Sequence, residues 1–157
     1  MVITKKYLVF PVSDFVKVRE IDFYSKDKLL DDIYIKLDYI NPKYNIYYPV
    51  EKYKGLNIDV IIHPDINFRW DQTDEPDYTF VYNCPFRPKL HFTAAFGWLN
   101  DPNGLFEYTS KVTGEKVYNM YFQYNPYGSK WGNMHWGHSV SKDLMHWEHL
   151  EPAIARD

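Results

Sequence analysis

Short runs in which apolar and polar residues alternate recur through the first half of the chain, the mark of half-buried strands. From Ile33 to Tyr39, residues Ile33, Ile35 and Leu37 face one way and Lys36 and Asp38 the other. Ile58, Val60 and Ile62 repeat the pattern, and Tyr7 to Val12 and Val18 to Tyr24 are further candidates. Turn pairs separate the runs: Asn41-Pro42, Lys54-Gly55 and His63-Pro64. No stretch holds a long helical period, and only Lys26 to Asp32 offers a brief helix. The pattern predicts a small antiparallel β-sandwich. The polar stretch Asp71 to Asp77, with Asp71, Asp74, Glu75 and Asp77, reads as a solvated linker or loop. It lacks the glycine and the closing glutamate of an EF-hand calcium loop. Pro85 and Pro88 extend the connector, so a domain boundary is expected near residue 84, between a module at 1–84 and a second unit at 85–157.

The second unit also reads as strand: Leu105 to Ser110, Val117 to Asn125, His135 to Ser141 and His146 to Leu150. Four short antiparallel strands of this spacing have the size of one β-propeller blade. No second copy of the unit follows, and a propeller closes only with about four blades or more. The sequence is therefore expected to begin a propeller and stop, giving an all-β chain of a sandwich followed by one blade.

Composition narrows the function classes. The 157 residues are 45% hydrophobic and 25% charged, ordinary for globular domains. Aromatics reach 19%, including 15 Tyr and 5 Trp, which suits strands and stacking surfaces. A formal charge of −3 without a basic stripe argues against a nucleic-acid partner. No apolar run is long enough to span a bilayer, so no membrane association is expected. Met1 to Phe10 has two lysines but no cleavage site after its short apolar stretch, and Cys84 has no second cysteine to pair with. Both point to the cytoplasm; a leader lost upstream of the start would make the protein secreted instead.

The candidate chemistry centres on Trp98-Leu99-Asn100-Asp101-Pro102-Asn103-Gly104. Asp-Pro-Asn-Gly is a tight-turn string, with φ fixed at Pro102 and φ > 0 accessible at Gly104. Set just before a strand, such a turn holds a carboxylate at the rim of a sheet; by itself it is also compatible with a plain turn. In the strand ending at Asn125, Gln123 shares a face with Asn119, Tyr121 and Asn125, the more polar one. The histidines fail a metal test. His135 and His138 are three apart in a predicted strand and face opposite ways, and His146 and His149 have the same spacing. Neither a metal nor a cofactor is expected, and Cys84 reads as a structural or incidental thiol.

Four ordered motifs carry a resemblance. Arg87-Pro88, His91-Phe92-Thr93, Gly97 and the Trp98–Gly104 string resemble the start of a glycoside hydrolase family 32 catalytic domain, the family of invertases, levanases and inulinases. Tyr121-Phe122-Gln123-Tyr124-Asn125-Pro126, Trp131-Gly132-Asn133-Met134-His135-Trp136-Gly137-His138 and Ser141-Lys142-Asp143-Leu144-Met145-His146-Trp147 resemble the motifs that follow. The match runs from about residue 86 to the C-terminus, and the N-terminal half resembles a sandwich module that precedes the propeller in some bacterial members. The resemblance implies a five-bladed propeller and retaining hydrolysis of the β-fructofuranosyl bonds of sucrose, inulin or levan. It makes Asp101 the nucleophile, Asn100 and Gln123 hydrogen-bonding partners of fructose, Trp131 an aromatic wall of the sugar pocket and Trp98 its edge. The plainer alternatives are an exposed polar strand residue for Gln123 and ordinary packed tryptophans for the other two.

A family 32 enzyme uses three acidic residues, and one is recognisable here. The Arg-Asp-Pro motif of the transition-state stabiliser is not matched by Arg156-Asp157, which lacks the proline and comes too early. No Glu-Cys pair, the motif of the acid/base, occurs in the chain. Glu107, Glu148 and Glu151 read as surface strand residues. An incomplete fragment, inactive alone, is the expectation. Two other readings remain. A non-catalytic carbohydrate-binding module would be favoured by a cluster of exposed aromatics such as Tyr44, Tyr47 and Tyr48. An interaction piece would self-associate through open blade edges.

Overall fold

The computed structural model describes residues 1–156; Asp157, and with it the Arg156-Asp157 pair, lies outside the described residues. The described residues are all-β apart from a 3-10 turn at Glu51–Tyr53 and one helical turn, α1 (Thr79–Tyr82). It divides into two compact units, Met1–Asp77 and Tyr78–Asp157.

The first unit is a sandwich of two three-stranded antiparallel sheets. One has the order β4 (Tyr44–Pro49), β1 (Tyr7–Val12), β6 (Asp71–Thr73); the other β3 (Lys28–Ile35), β2 (Arg19–Ser25), β5 (Asp59–His63). Alternation decides the core. Leu8, Phe10 and Val12 of β1, Ile46 and Tyr48 of β4, Ile21 and Phe23 of β2 and Ile33 and Ile35 of β3 are all buried. Phe23 stacks on Tyr48 at 4.4 Å between ring centroids, and Phe10 meets both rings edge-on. The Tyr48 hydroxyl, carried into this interior, donates to the Asp31 carboxylate.

Three expectations for this half are corrected. Lys26 to Asp32 is not helical: Lys26-Asp27 forms a two-residue hairpin turn, with Lys26 at φ 55°, and β3 starts at Lys28. The acidic stretch is not all linker, because Asp71–Thr73 pairs with β1 as an edge strand and Asp74 meets Lys5 at 2.6 Å. Tyr44, Tyr47 and Tyr48 do not form an exposed cluster. Strand alternation turns Tyr48 inward to 2% exposure, and the other two are half-buried.

The second unit is a four-stranded antiparallel meander in the order β10 (Trp147–Ile154), β9 (His135–Ser141), β8 (Lys116–Asn125), β7 (Trp98–Thr109), the build of a propeller blade. One face, with Phe122, Ser139 and Ser141, is buried; Phe92 covers part of it, packing against Phe122 and Trp147. The break between units falls at Asp77–Tyr78, ahead of the expected residue 84. Tyr78 packs against Phe96, the Arg87 guanidinium lies over Tyr82 and Arg87 Nη2 donates to the Ala94 carbonyl, so the 78–84 segment belongs to the blade.

Candidate functional site

The Asp-Pro-Asn-Gly string is not a turn before a strand. It lies inside β7, which begins at Trp98. Opposite β8, Leu99 pairs with Tyr124, Pro102 with Phe122 and Leu105 with Met120, so the register shifts once on each side of Pro102. Each shift is a bulge, with one more residue on β7 than on β8. Pro102 can sit in the ladder because bulges relax the demand for a backbone donor, and Gly104 takes the φ of +85° that the second bulge requires. Asn100 and Asp101 occupy the first bulge, and both are exposed.

The bulge brings together two residues far apart in sequence. Asn100 Nδ2 donates to Gln123 Oε1 at 3.1 Å. The bond leaves Asn100 Oδ1 as an acceptor and Gln123 Nε2 as a donor, a complementary pair for a sugar hydroxyl. Trp98 pairs with Asn125 at the same end of the sheet and is half-buried. Trp131 stands in the loop between β8 and β9, 74% exposed. That loop leaves β8 after Asn125 and enters β9 at His135, where β9 pairs with Tyr124. The topology thus gathers Trp98, Asn100, Asp101, Gln123 and the Trp131 loop at one end of the meander.

A group without an assigned role in the motifs organises that end. The Asn125 side chain is almost fully buried. Its Nδ2 donates to the Lys130 carbonyl at 2.7 Å, and its Oδ1 accepts from the Tyr127 amide at 2.9 Å and from Asn133 Nδ2 at 3.4 Å. Asn133 holds φ 39°, and its carbonyl accepts from His135 Nδ1 at 2.6 Å. A Cβ on Gly97 would lie 2.2 Å from the Asn125 carbonyl oxygen, so glycine is required where the chain enters β7. The sequence signal for such a hub is an asparagine before proline at a strand end, where the side chain closes an Asx turn.

Among the described residues of this sheet, no second carboxylate stands beside Asp101. Glu148 and Glu151 lie on β10, three strands from β7, about 14 Å away at ordinary strand spacing. Glu107 sits farther along β7 and is engaged with Lys116 at 3.0 Å. His135 and His138 project from opposite faces, as their spacing requires. His138 Nε2 donates to Asn119 Oδ1 at 3.0 Å and the ring stacks on Tyr121; burial lowers its pKa. His149, against Ser139 Oγ at 2.9 Å, is lowered first by burial and then by the Arg87 charge. Among the described residues no three His, Cys, Asp or Glu side chains stand together as metal ligands, and no helix is long and apolar enough to cross a membrane. Cys84 is half-buried.

Residues 91–157 match the model of the glycosyl hydrolases family 32 N-terminal domain. The same half is 49% identical over 76 residues to a levanase of Bacillus subtilis, 44% over 77 residues to an extracellular exo-inulinase of Aspergillus awamori and 53% over 76 residues to an invertase of Schizosaccharomyces pombe. These matches take in 48%, 49% and 48% of this chain but 10%, 13% and 12% of the respective relatives, so the chain spans only about a tenth of their length. A solved glycoside hydrolase family 32 protein of Bifidobacterium adolescentis aligns over 94% of this chain and 26% of its own, with 23% identity and a TM-score of 0.43. The sequence matches place the similarity in the second unit, where residues 91–157 resemble the N-terminal domain of glycosyl hydrolase family 32.

Proposed function

We propose that this chain carries the nucleophile strand of a retaining β-fructofuranosidase, with Asp101 attacking the anomeric carbon of a fructosyl residue. The observation that carries it is the bulge in β7, which exposes the Asp101 carboxylate beside the hydrogen-bonded Asn100–Gln123 pair. Retaining hydrolysis sets two carboxyl groups roughly 5 Å apart across the scissile bond, one to attack and one to protonate the leaving oxygen. Asp101 supplies the first. Asn100 and Gln123 hold the hydroxyls of the sugar, and Trp98 and Trp131 offer ring faces to its apolar side. Sucrose, inulin and levan, the substrates that go with the invertase, inulinase and levanase relatives, fit this design.

The second carboxyl group is not within reach on this sheet, so the 157 residues by themselves should not turn over sucrose, inulin or levan. General-acid assistance alone is worth roughly 10²–10⁴ in rate. Purified chain incubated with sucrose and assayed for released fructose decides this. Steady turnover that vanishes in Asp101→Asn would overturn the expectation of inactivity. In a protein with the whole family domain, Asp101→Asn should abolish turnover while keeping sugar binding. A covalent fructosyl adduct trapped on any other residue would end the assignment of Asp101. A second reading rests on the uncovered face of the blade, where Phe106, Tyr108, Leu150 and Ile154 are exposed. Copies of this chain would associate there or along the open strand edges, and sedimentation over a range of concentrations reads it directly.

A further inference from the structure

We propose that Asn125 is a positioning residue whose side-chain amide sets where Trp131 stands at the end of the sheet that bears Asn100, Asp101 and Gln123. The inference deepens the proposed function, since it rests on reading Trp131 as a sugar-facing ring. The loop from Pro126 to Met134 has no strand partner along its length, and Trp131 is highly exposed within it. Among the described residues no aromatic ring packs on Trp131, so its place is set by the loop backbone that presents it.

That backbone is fixed from one side chain. Asn125 Nδ2 holds the carbonyl of Lys130, the peptide unit that leads directly into Trp131. Asn125 Oδ1 holds the amide of Tyr127 at the start of the loop and the Asn133 side chain near its end. One amide group thus ties the beginning, the middle and the end of the loop, and it does so buried, where an unsatisfied partner is costly. The surroundings are shaped to admit it. A Cβ on Gly128 would come 3.3 Å from Asn125 Nδ2, and one on Gly132 3.7 Å. Two acceptor bonds and one donor bond require an amide. A carboxylate at this position keeps the acceptors but faces the Lys130 carbonyl with a lone pair. A protonated carboxyl group restores a donor there.

This difference gives the test. The full chain is labelled with 5-fluorotryptophan, and the Trp131 fluorine line is assigned by its loss in Trp131→Phe. The other four tryptophans report on whether the units are folded. In Asn125→Asp above neutral pH, the Trp131 line should move toward the position of free 5-fluorotryptophan and sharpen, with the Trp70 line unmoved. On acidification the buried carboxyl group protonates and the Trp131 line should return toward its wild-type position. The wild-type profile over the same range is the control for every other pH-dependent change. If Asn125→Asp does not fold, Gly128→Ala decides, because its Cβ presses on the same amide and should displace the same line by a smaller amount. A Trp131 line that stays at its wild-type position in the folded variant at every pH, or in Gly128→Ala when that variant must decide, overturns the proposal. Fructose added to wild-type chain tests the other layer. A Trp131 line indifferent to saturating sugar would remove Trp131 from the sugar site and leave the loop result standing.

Discussion

The two units solve the burial problem in opposite ways. In the sandwich, fifteen apolar side chains are buried, and all of the largest fully buried ones lie there. In the blade only Ala94, Phe96, Phe122 and Tyr127 join them, while Leu105, Phe106, Tyr108, Leu150 and Ile154 stay exposed. What the blade buries instead is polar: Asn125, Asn133, Ser139 and Ser141. The sandwich therefore draws its stability from area removed from water, and the blade end that bears the site draws its shape from hydrogen bonds. On the proposed reading, a surface that presents Asn100, Asp101 and Gln123 to a sugar is held from beneath by directional contacts.

That contrast can be broken at its strongest point first. Phe23→Ala removes the ring stacked on Tyr48 at the centre of the sandwich and should cost about 3–5 kcal/mol. A urea transition followed at Trp70 measures it, and a loss below about 1 kcal/mol would mean that the sandwich core is not what holds that unit. Residues 1–77 expressed alone should likewise keep slowly exchanging amides in β1 and β2; a wholly unprotected backbone would show that the first unit needs the second.

Gly97→Ala comes next, because it strikes the blade through its backbone. Its Cβ meets the Asn125 carbonyl oxygen, and the residue sits at φ +78°, so a cost of about 2–3 kcal/mol is expected in the blade with the sandwich transition unchanged.

A smaller effect sits in the turn between β9 and β10. The Asp143 carboxylate accepts from His146 Nδ1 at 2.7 Å and from the amides of Met145 and His146. The imidazole bond holds the Asp143 carboxyl well below the usual carboxylate range and raises the His146 imidazole above its ordinary value. A raised histidine stabilises the fold below its unfolded pKa and loses that contribution as pH rises through its folded pKa. A lowered carboxylate contributes above 3.8 and loses it as pH falls through its folded pKa. The turn should be tightest between these limits, with Met145 and His146 amides exchanging faster relative to the intrinsic rate above neutral pH. His146→Ala should abolish the alkaline part of that dependence, and a pH-independent profile in the wild type would contradict it. The smallest effect belongs to the uncovered face: Phe106→Ser should shift blade stability by no more than about 0.5 kcal/mol. A large loss there would show that the face is packed in solution and that the contrast between the units is overdrawn.

Legibility in the sequence follows the same divide. Strand β2 was readable because Ile21 and Phe23 alternate with Glu20 and Asp22, and β1 and β5 as short apolar runs bounded by turn residues. β4 was hidden because aromatics fall on both of its faces, with Tyr47 outward and Tyr48 inward. β6, Asp-Gln-Thr, has no apolar residue to betray it and exists only because β1 offers an edge. The motifs of the second unit pointed to Asp101, Asn100 and Gln123 by resemblance, and β8 and β9 were read close to their observed bounds. The bulges in β7 were not, since Asp-Pro-Asn-Gly favours a turn locally and is drawn into the ladder by β8. Nor was the role of Asn125, whose three partners are set by a loop path that no periodicity records.

The paired register shifts in β7 also set a rule of parity. Leu99, Pro102 and Leu105 follow one another at intervals of three, yet they oppose every second residue of β8. A single-residue deletion between 100 and 104 would erase one shift and swap the two faces for everything upstream, sending Trp98 to the side that Leu99 now occupies. Deleting two residues, one from each shift, would restore the faces and leave a continuous ladder with no bulge to lift a carboxylate out of it. Length polymorphism in this stretch should therefore separate cleanly into changes that misfold the strand and changes that keep the strand but silence the site.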